Sequence, residues 1–540
     1  MKKYFRRGNA ILGFVNFGRN KEGRFGVHPV WGRLFLLFCA LGVAAWIFVA
    51  FAGFLFLKHT RDIETGRFAD LLLFRWDDYR LAWGEDYIER GKDLVEAGEA
   101  IEGFHYLRIG VGRSPGNIEG RLLLANLYLA RNRVDLAARL LEDGMPYGID
   151  DTDYVTATMR ILLASEKDDQ IRGIADEYLP EVPVLKDRNL ILAFAAARAN
   201  FHRGDFDRAV QLIDDYELSS SRNGRILLAR IDWSRGRRAE AINRLETLAA
   251  THPDGNEAYI YLTRFHHEIG NLESAERYAV IRQLNDPLNM IPRVDLLYIY
   301  KEKGEHETLE YEIESILRDF RGDNRAVEHV AQFAMDTADV ALAQRIFEHA
   351  QARSMELSIP GIILVHTLIK TGEFDRGIAL AERLIREVEG FEDRFGPQIL
   401  AVNAIAAYAR RDQANGDLRL NQFLAGDNLR PSNYITYSDK LIEIAQIEPA
   451  RRILVQAQRS NPRSQSLLNA LIRLDMMRGD GIALIDNLPK LMDMRLPSPE
   501  VLNEAYLFLS SDRFLYTDDR REILEAIEAI MERHRTEAIG

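Results

Sequence analysis

One short stretch of the sequence matches the spacing of a serine nucleophile motif. Gly112, Ser114 and Gly116 reproduce the G-x-S-x-G pattern, in which a serine hydroxyl on a sharp turn attacks an acyl carbon. That turn requires a strand directly before the serine and a helix directly after it. Here the preceding residues, AIEGFHYLRIGV, have helical periodicity, and Pro115 follows the serine at once. The sequence therefore predicts no acyl-transfer site at this position.

The residue spacing does not support metal or cofactor chemistry either. The histidine pair at 266–267 is followed by a single glutamate and does not form the H-E-x-x-H zinc motif. The aspartates at 150–153 lack the glycine and the distal glutamate of a calcium loop, so we expect them to cap a helix. Cys39 is the only cysteine, which excludes internal disulfides and cysteine-rich metal sites. We therefore expect no metal, no cofactor and no enzymatic activity.

The sequence RGRR at 235–238 has the composition of a small basic patch. The formal net charge of the chain is −12, however. Residues 1–33 carry eight basic side chains and one acidic side chain, Glu22, so their net charge is +7. The remaining residues therefore sum to −19. Because nucleic-acid binding needs a basic surface, the sequence predicts no nucleic-acid partner and a solvated corner at RGRR.

A long uncharged segment follows the basic N-terminal residues. The run Leu34–Leu57 contains 24 residues without a charge, which as a helix span roughly 36 Å and can cross a hydrocarbon core. A cleaved signal peptide is the alternative, but the small-residue site at 50–52 lies inside the apolar run. We expect an uncleaved transmembrane helix at 34–57, preceded by a basic cytoplasmic segment at 1–33.

The charge before the apolar run predicts the membrane topology. Basic flanks tend to remain in the cytoplasm, so residues from Lys58 onward are expected across the membrane. The exported part has neither a cysteine nor an N-glycosylation sequon, which fits a bacterial envelope protein. The predicted location is the inner membrane, single-pass, with the main domain in the periplasm. The inverted topology, with that domain cytoplasmic, is the alternative.

A repeat with a period of 34 residues organises the exported part, which reads as one helix after another. Small residues recur 34 apart at Gly236, Gly270, Gly304, Ala338 and Gly372. A second series follows five residues behind each of them, at Ala241, Ala275, Leu309, Ala343 and Gly377. Such a unit is typical of two helices with a tight turn between them and a small residue that lets the helices approach.

This unit resembles the tetratricopeptide repeat family. The residues that carry the resemblance are Tyr259, Leu262, Gly270, Ala275, Ala279 and Pro287 in one unit, and Gly236, Ala241, Leu245, Leu248 and Pro253 in the unit before it. The resemblance implies an all-α fold, a right-handed α-solenoid of about 11–12 helix-turn-helix repeats over residues 87–490. Less regular units are placed at Gly173 and Ala414. Residues 491–540 are expected to form capping helices.

The segment between the apolar run and the repeats, residues 58–86, is rich in aromatic residues. Six large side chains from Phe68 to Tyr87 fall on one helical face. We expect this face to be buried against the first helices of the solenoid. An interfacial helix that holds the solenoid close to the bilayer is the alternative, because tryptophan and tyrosine favour that zone.

The first helices of a solenoid line its concave surface, where such proteins bind peptides or other helices. Positions three and six residues before each turn predict eight candidate contact residues: Arg230, Trp233, Arg264, His267, Tyr298, Lys301, Gln332 and His366. Cations and aromatic side chains at successive repeats favour an acidic peptide or a C-terminal carboxylate. The alternative is that each arginine pairs with a carboxylate of a neighbouring unit.

Together these features predict a membrane-anchored scaffold that mediates protein–protein interactions in the cell envelope, in assembly, secretion or exopolysaccharide export. Other proteins or peptides are the expected partners, acidic segments among them. A regulatory adaptor that presents clients to a membrane protease or chaperone is the alternative. An enzyme with a site hidden among the helices is a third possibility, for which no catalytic set assembles.

Overall fold

A computed structural model describes residues 10–11, 15–19, 25–61, 68, 72, 75–253, 255–426, 429–515 and 517–535. These residues form 28 α-helices, two short 3-10 helices and three short strands. The chain divides into two compact units, residues 1–195 and 196–540. The predicted all-α fold of helix-turn-helix repeats is confirmed.

Three strands lie in the basic N-terminal segment. Strands β1 (Ala10–Ile11), β2 (Val15–Arg19) and β3 (Phe25–Pro29) form an antiparallel sheet in that order. Residue 15 pairs with residue 29, and residue 19 pairs with residue 25. The sequence distinguishes this segment by its net charge, and net charge does not predict strands.

Helix α1, Trp31–Arg61, contains the apolar run. Its part Trp31–Phe56 is 26 residues long, has a mean hydropathy of 2.6 and is not buried against the rest of the chain. Length and composition therefore allow this helix to cross a membrane.

Seven further helices lie wholly within the first unit. They are α2 (Trp76–Glu96), α3 (Ala100–Arg113), α4 (Ile118–Ala130), α5 (Val134–Glu142), α6 (Met145–Gly148), α7 (Thr152–Ala164) and α8 (Asp168–Tyr178). Helix α2 begins inside the aromatic-rich segment at residues 58–86. It packs so closely on α3 that a Cβ atom added at Gly103 would lie 2.8 Å from the carbonyl oxygen of Gly91.

Helix α9, Asp187–His202, spans the division between the units, and nineteen helices follow it. The helices up to residue 387 are α10 (Phe206–Asp215), α11 (Arg222–Ser234), α12 (Arg238–Thr251), α13 (Asn256–Glu268), α14 (Leu272–Asn285), α15 (Ile291–Lys303), α16 (His306–Asp319), α17 (Asn324–Asp336), α18 (Val340–Ala352), α19 (Ser358–Lys370) and α20 (Phe374–Glu387). The remaining helices are α21 (Phe391–Ala409), α22 (Gln413–Leu424), α23 (Pro431–Glu443), α24 (Ile447–Ser460), α25 (Gln465–Arg478), α26 (Gly481–Met492), α27 (Pro499–Leu509) and α28 (Arg520–Arg535).

A residue with left-handed backbone conformation joins the two helices of each hairpin. Among the described residues this turn occurs at Gly98, Asn132, Glu166, Gly204, Gly236, Gly270, Gly304, Ala338, Gly372, Arg411, Ala445 and Gly479. The left-handed residue lets the following amides bond back to the helix carbonyls, as Arg237 N–H does to the Asp232 carbonyl at 2.9 Å. Glycine adopts this conformation without strain, which explains its recurrence in the sequence.

The residue five places after each turn is buried at the contact between the two helices. This position holds Gly103, Ala137, Ile171, Ala209, Ala241, Ala275, Leu309, Ala343, Gly377, Gly416, Ala450 and Leu484. The less regular units are therefore centred on Ile171 and Gly416, and not on Gly173 and Ala414 as the sequence suggests. At Gly416 a Cβ atom would lie 2.6 Å from the ring of Tyr408, so only glycine fits.

The hydrophobic core lies between neighbouring hairpins. One continuous cluster runs from Ala275 to Leu474, and a second cluster joins α25 and α26 to the terminal helices α27 and α28. Within the second unit, the loop after α26 also contacts the end of α9. The backbone N–H of Leu496 donates to the His202 carbonyl at 2.9 Å, and Arg203 Nη2 lies 2.9 Å from Asp493 Oδ1.

Candidate protein-binding surface

The eight candidate contact residues lie on the first helices of five successive hairpins, α11, α13, α15, α17 and α19. First helices contact one another along this part of the chain, as α15 and α17 do. Helices α19 and α23 contact each other although they are two hairpins apart. Elements that are not neighbours can meet only on the inside of a curve, so the first helices form the inner face here.

Trp233 and Arg264 are engaged by the same carboxylate. The indole of Trp233 stacks on the Phe265 ring at 3.9 Å, and its Nε1–H donates to Glu268 Oε2 at 3.0 Å. Arg264 Nε donates to the other oxygen of Glu268 at 2.7 Å. The arginine therefore pairs within its own helix, while the indole makes the contact between repeats.

His267, Tyr298 and Gln332 also have partners in the chain. His267 Nε2 lies 3.0 Å from Glu302 Oε1 of the next repeat. The Tyr298 hydroxyl donates to Asp336 Oδ2 at 2.7 Å, and Gln332 donates to Asp336 Oδ1 at 2.8 Å. Burial, together with the hydrogen bond to this carboxylate, raises the pKa of Tyr298.

Arg230 and Lys301 are the cations of this set without a carboxylate partner in the described part of the chain. The Arg230 guanidinium is half-buried over the Phe201 ring, 4.6 Å from its centroid, and 5.6 Å from that of Tyr261. Its burial lowers its pKa. Lys301 makes no ion pair or hydrogen bond with any described residue, which leaves its ammonium group available to a partner.

His366 is buried and neutral. Burial lowers the pKa of its imidazole to about 4, and its Nε2 forms a hydrogen bond with the Tyr437 hydroxyl at 2.8 Å. Lys440 on the same helix as Tyr437 donates to the carbonyl of Lys370 at 3.0 Å. These contacts hold α23 against α19, and they give His366 a structural role that its position in the sequence does not suggest.

A cavity of about 360 Å³ opens beside this contact, between α17, α19, α21 and α23. Gln332 and His366 line it, whereas the other six candidate contact residues do not. Most of its lining comes from residues that the sequence does not single out, such as Ile362, Gln398 and Arg430. In the sequence, the break in the repeat is the feature that could have indicated this cavity. The turns at Gly372 and Arg411 are 39 residues apart instead of 34.

Residues 226–282 match the family model described as "Tetratricopeptide repeat". This chain contains tetratricopeptide repeats. The matched segment covers most of α11 together with α12, α13 and nearly all of α14, which are two successive hairpins.

Solved structures with helical repeats are similar over most of the chain, at low identity. They include yeast Tom70, with 11% identity, a TM-score of 0.31 and coverage of 83% of this chain and 96% of that one. A chain of the APC/C hetero-tetramer Cut9-Hcn1 has 12% identity, a TM-score of 0.27 and coverage of 83% and 94%. No curated protein matches the chain.

Two of the three arginines at 235–238 in this tetratricopeptide unit pair with aspartates, while the exposed Arg238 lies 5.7 Å from the centroid of the Trp233 ring. Arg235 pairs with Asp207, and Arg237 donates to Asp232 Oδ1 at 2.7 Å. The intervening Gly236 occupies the turn. Ion pairing of this kind supports a structural corner and not a phosphate-binding site.

The residues whose spacing suggests chemistry have structural roles. Helix α3 and not a strand precedes Ser114, and the serine hydroxyl donates to the Glu85 carboxylate. Asp151 caps α7 by accepting from the Tyr154 amide at 2.8 Å, as expected. Within the described ranges, no group of three metal-ligating side chains is positioned to bind an ion.

Proposed function

We propose that this chain is a membrane-anchored tetratricopeptide scaffold that binds segments of other proteins along the inner face of its second unit. The curvature at α19 and α23 is the observation that carries this proposal, because it places successive first helices around a common concave surface. Helix α1 is the anchor, with residues 1–33 in the cytoplasm. The repeats lie on the extracytoplasmic side of the cell envelope and serve assembly, secretion or polysaccharide export.

Lys301 identifies a part of the inner face that is suited to an acidic segment. It lies on α15 between the paired side chains of neighbouring repeats, and its charge has no partner among the described residues. A carboxylate of a bound protein would complete the same pattern of inter-repeat pairs that His267 and Glu302 already form.

Site-specific photocrosslinking tests the binding surface in native membranes. A benzophenone amino acid replaces Lys301 on the inner face or, as the matched control, exposed Glu314 on the second helix α16. We expect discrete protein adducts from position 301 and none from position 314. Adducts of equal yield at both positions, or none at 301, would contradict the proposal.

A reporter fusion tests the topology separately. Alkaline phosphatase fused after Gly540 is active only when it is exported, so we expect activity from the full chain. An inactive fusion together with an active cytoplasmic reporter at the same position would place the repeats in the cytoplasm.

A further inference from the structure

The cavity beside α21 results from an interruption of the repeat. The first helices α11, α13, α15, α17, α19 and α23 each have 13 residues, whereas α21 has 19. Six additional residues extend a helix by about 9 Å. The extension lies at the N-terminal end of α21, and its residues Arg394 and Phe395 form one wall of the cavity.

The walls of the cavity include a group of apolar side chains. Ile359, Ile362 and Ile363 come from α19, Met335 comes from α17 and Phe395 comes from α21. A volume of about 360 Å³ accommodates a large amino-acid side chain with part of its backbone. Burial of such a side chain removes its apolar surface from water, which favours binding of the segment that carries it.

A buried amide without a partner lies in the same cavity. Gln398 is 8% exposed and lines the cavity, and its Oε1 accepts no hydrogen bond from any described residue. A buried carbonyl oxygen of this kind is costly unless it is bonded, so a donor is needed. The backbone N–H of an extended peptide supplies such a donor once the amide turns toward it.

Two arginines line the cavity. Arg430 is exposed and makes no ion pair with a described residue, and Arg394 pairs with Glu356 at 3.4 Å. Glu328 is the carboxylate of the lining. Because Glu356 already pairs with Arg394, Arg430 is the arginine of the lining that an acidic residue next to the apolar anchor can pair with.

We propose that this cavity binds one bulky apolar side chain, leucine, phenylalanine or methionine, of an extended and acidic partner segment. In the bound state the side chain occupies the isoleucine pocket, a backbone N–H of the segment donates to Gln398, and an acidic neighbour pairs with Arg430. This inference rests on the proposed scaffold function, and it assigns the principal anchor to α19, α21 and α23 instead of the more regular repeats before them.

Peptide selection tests the pocket without knowledge of the natural partner. The full chain in detergent micelles selects from a phage-displayed library of random 12-residue peptides, and the enriched peptides are synthesised with a fluorescent label. We expect enriched sequences to place leucine, phenylalanine or methionine beside aspartate or glutamate. The Kd of each peptide is then measured by fluorescence anisotropy.

Three substitutions address the three parts of the pocket. Thr436→Trp fills the cavity and is expected to raise the Kd more than tenfold. Gln398→Leu is expected to raise the Kd several-fold, and Arg430→Glu is expected to raise it about tenfold. The matched controls are Thr247→Trp on α12 and Arg321→Glu in an exposed turn, which are expected to leave the Kd unchanged. Circular dichroism of each variant verifies that the helices are intact. If Thr436→Trp disturbs the fold, Gln398→Leu still tests the pocket, because this substitution preserves the volume of the side chain.

The outcomes separate the pocket from the scaffold function. Peptides whose Kd is unchanged by Thr436→Trp and Gln398→Leu would overturn the pocket and leave the crosslinking result at position 301 to decide the scaffold function. Failure to enrich any apolar–acidic sequence would also overturn the pocket. Loss of affinity in all three variants and in neither control would support it.

Discussion

The regular repeats from α11 to α19 and the interrupted repeat around α21 use the same inner face in different ways. In the regular part, Trp233 bonds to Glu268, His267 to Glu302, and Tyr298 to Asp336, so side chains of adjacent repeats satisfy one another. At α21 the N-terminal extension of the helix, which contains Arg394 and Phe395, forms one wall of a cavity. Most candidate contact residues of the regular part are therefore paired within the chain, with Lys301 as an exception, whereas the interrupted repeat contains a cavity.

The contact between α19 and α23 is the point at which this comparison can be tested most strongly. Tyr437 is 1% exposed, bonds to His366 and packs edge-on against Phe423. We expect Tyr437→Ala to destabilise this region by about 3–5 kcal/mol, because it removes a large buried ring and leaves a cavity. Hydrogen–deuterium exchange of the full chain should show faster exchange in α19, α21 and α23, with α11 to α14 unchanged. Equal loss of protection along the whole array would contradict a local role.

Acid should affect the same contact. The His366 pKa is lowered to about 4 in the folded chain, against about 6.5 when unfolded. Between these values the unfolded state binds more protons, so stability is lost as the pH falls from about 6.5 to about 4. The full difference corresponds to about 3 kcal/mol at 1.36 kcal/mol per unit of pKa.

Urea unfolding of the full chain at pH 7 and pH 5 measures this contribution. His366→Gln keeps a hydrogen-bonding group beside the Tyr437 hydroxyl and removes the titratable imidazole, so it should reduce the acid-induced fall in the unfolding midpoint. The half-buried His267→Gln variant should keep the fall seen in the unchanged chain. If both variants respond to acid equally, the buried imidazole is not the group responsible.

The smallest effect is expected in the regular repeats. Trp233→Phe removes the hydrogen bond to Glu268 and keeps an aromatic ring on Phe265. Because the bond lies at an exposed position, the free energy of unfolding should change by no more than about 0.5 kcal/mol. A larger loss in urea unfolding would mean that the inter-repeat pairs contribute more than the comparison assigns to them.

The hairpin architecture could be predicted from sequence because its determinants are local. A small or left-handed residue recurs at each turn, and a small or apolar residue follows five places later, as Gly270 and Ala275 show. Units with other residue types at these positions were harder to place: the turn at Glu166 and the buried Ile171 do not resemble Gly270 and Ala275. Backbone conformation and burial identify them, whereas residue size alone does not.

The side chains of the binding surface depend on contacts that sequence spacing does not contain. The position of each candidate contact residue on a first helix follows from the 34-residue period, but its partner does not. Glu268 is shared by Trp233 and Arg264 because of the way two helices cross, and His366 meets Tyr437 across 71 residues because the array curves. The sequence alone determined the apolar N-terminal helix, the helical hairpins and their turns, since these follow from local composition and period. Only the tertiary structure decided which polar groups are paired and where a cavity opens, because both depend on packing between distant helices.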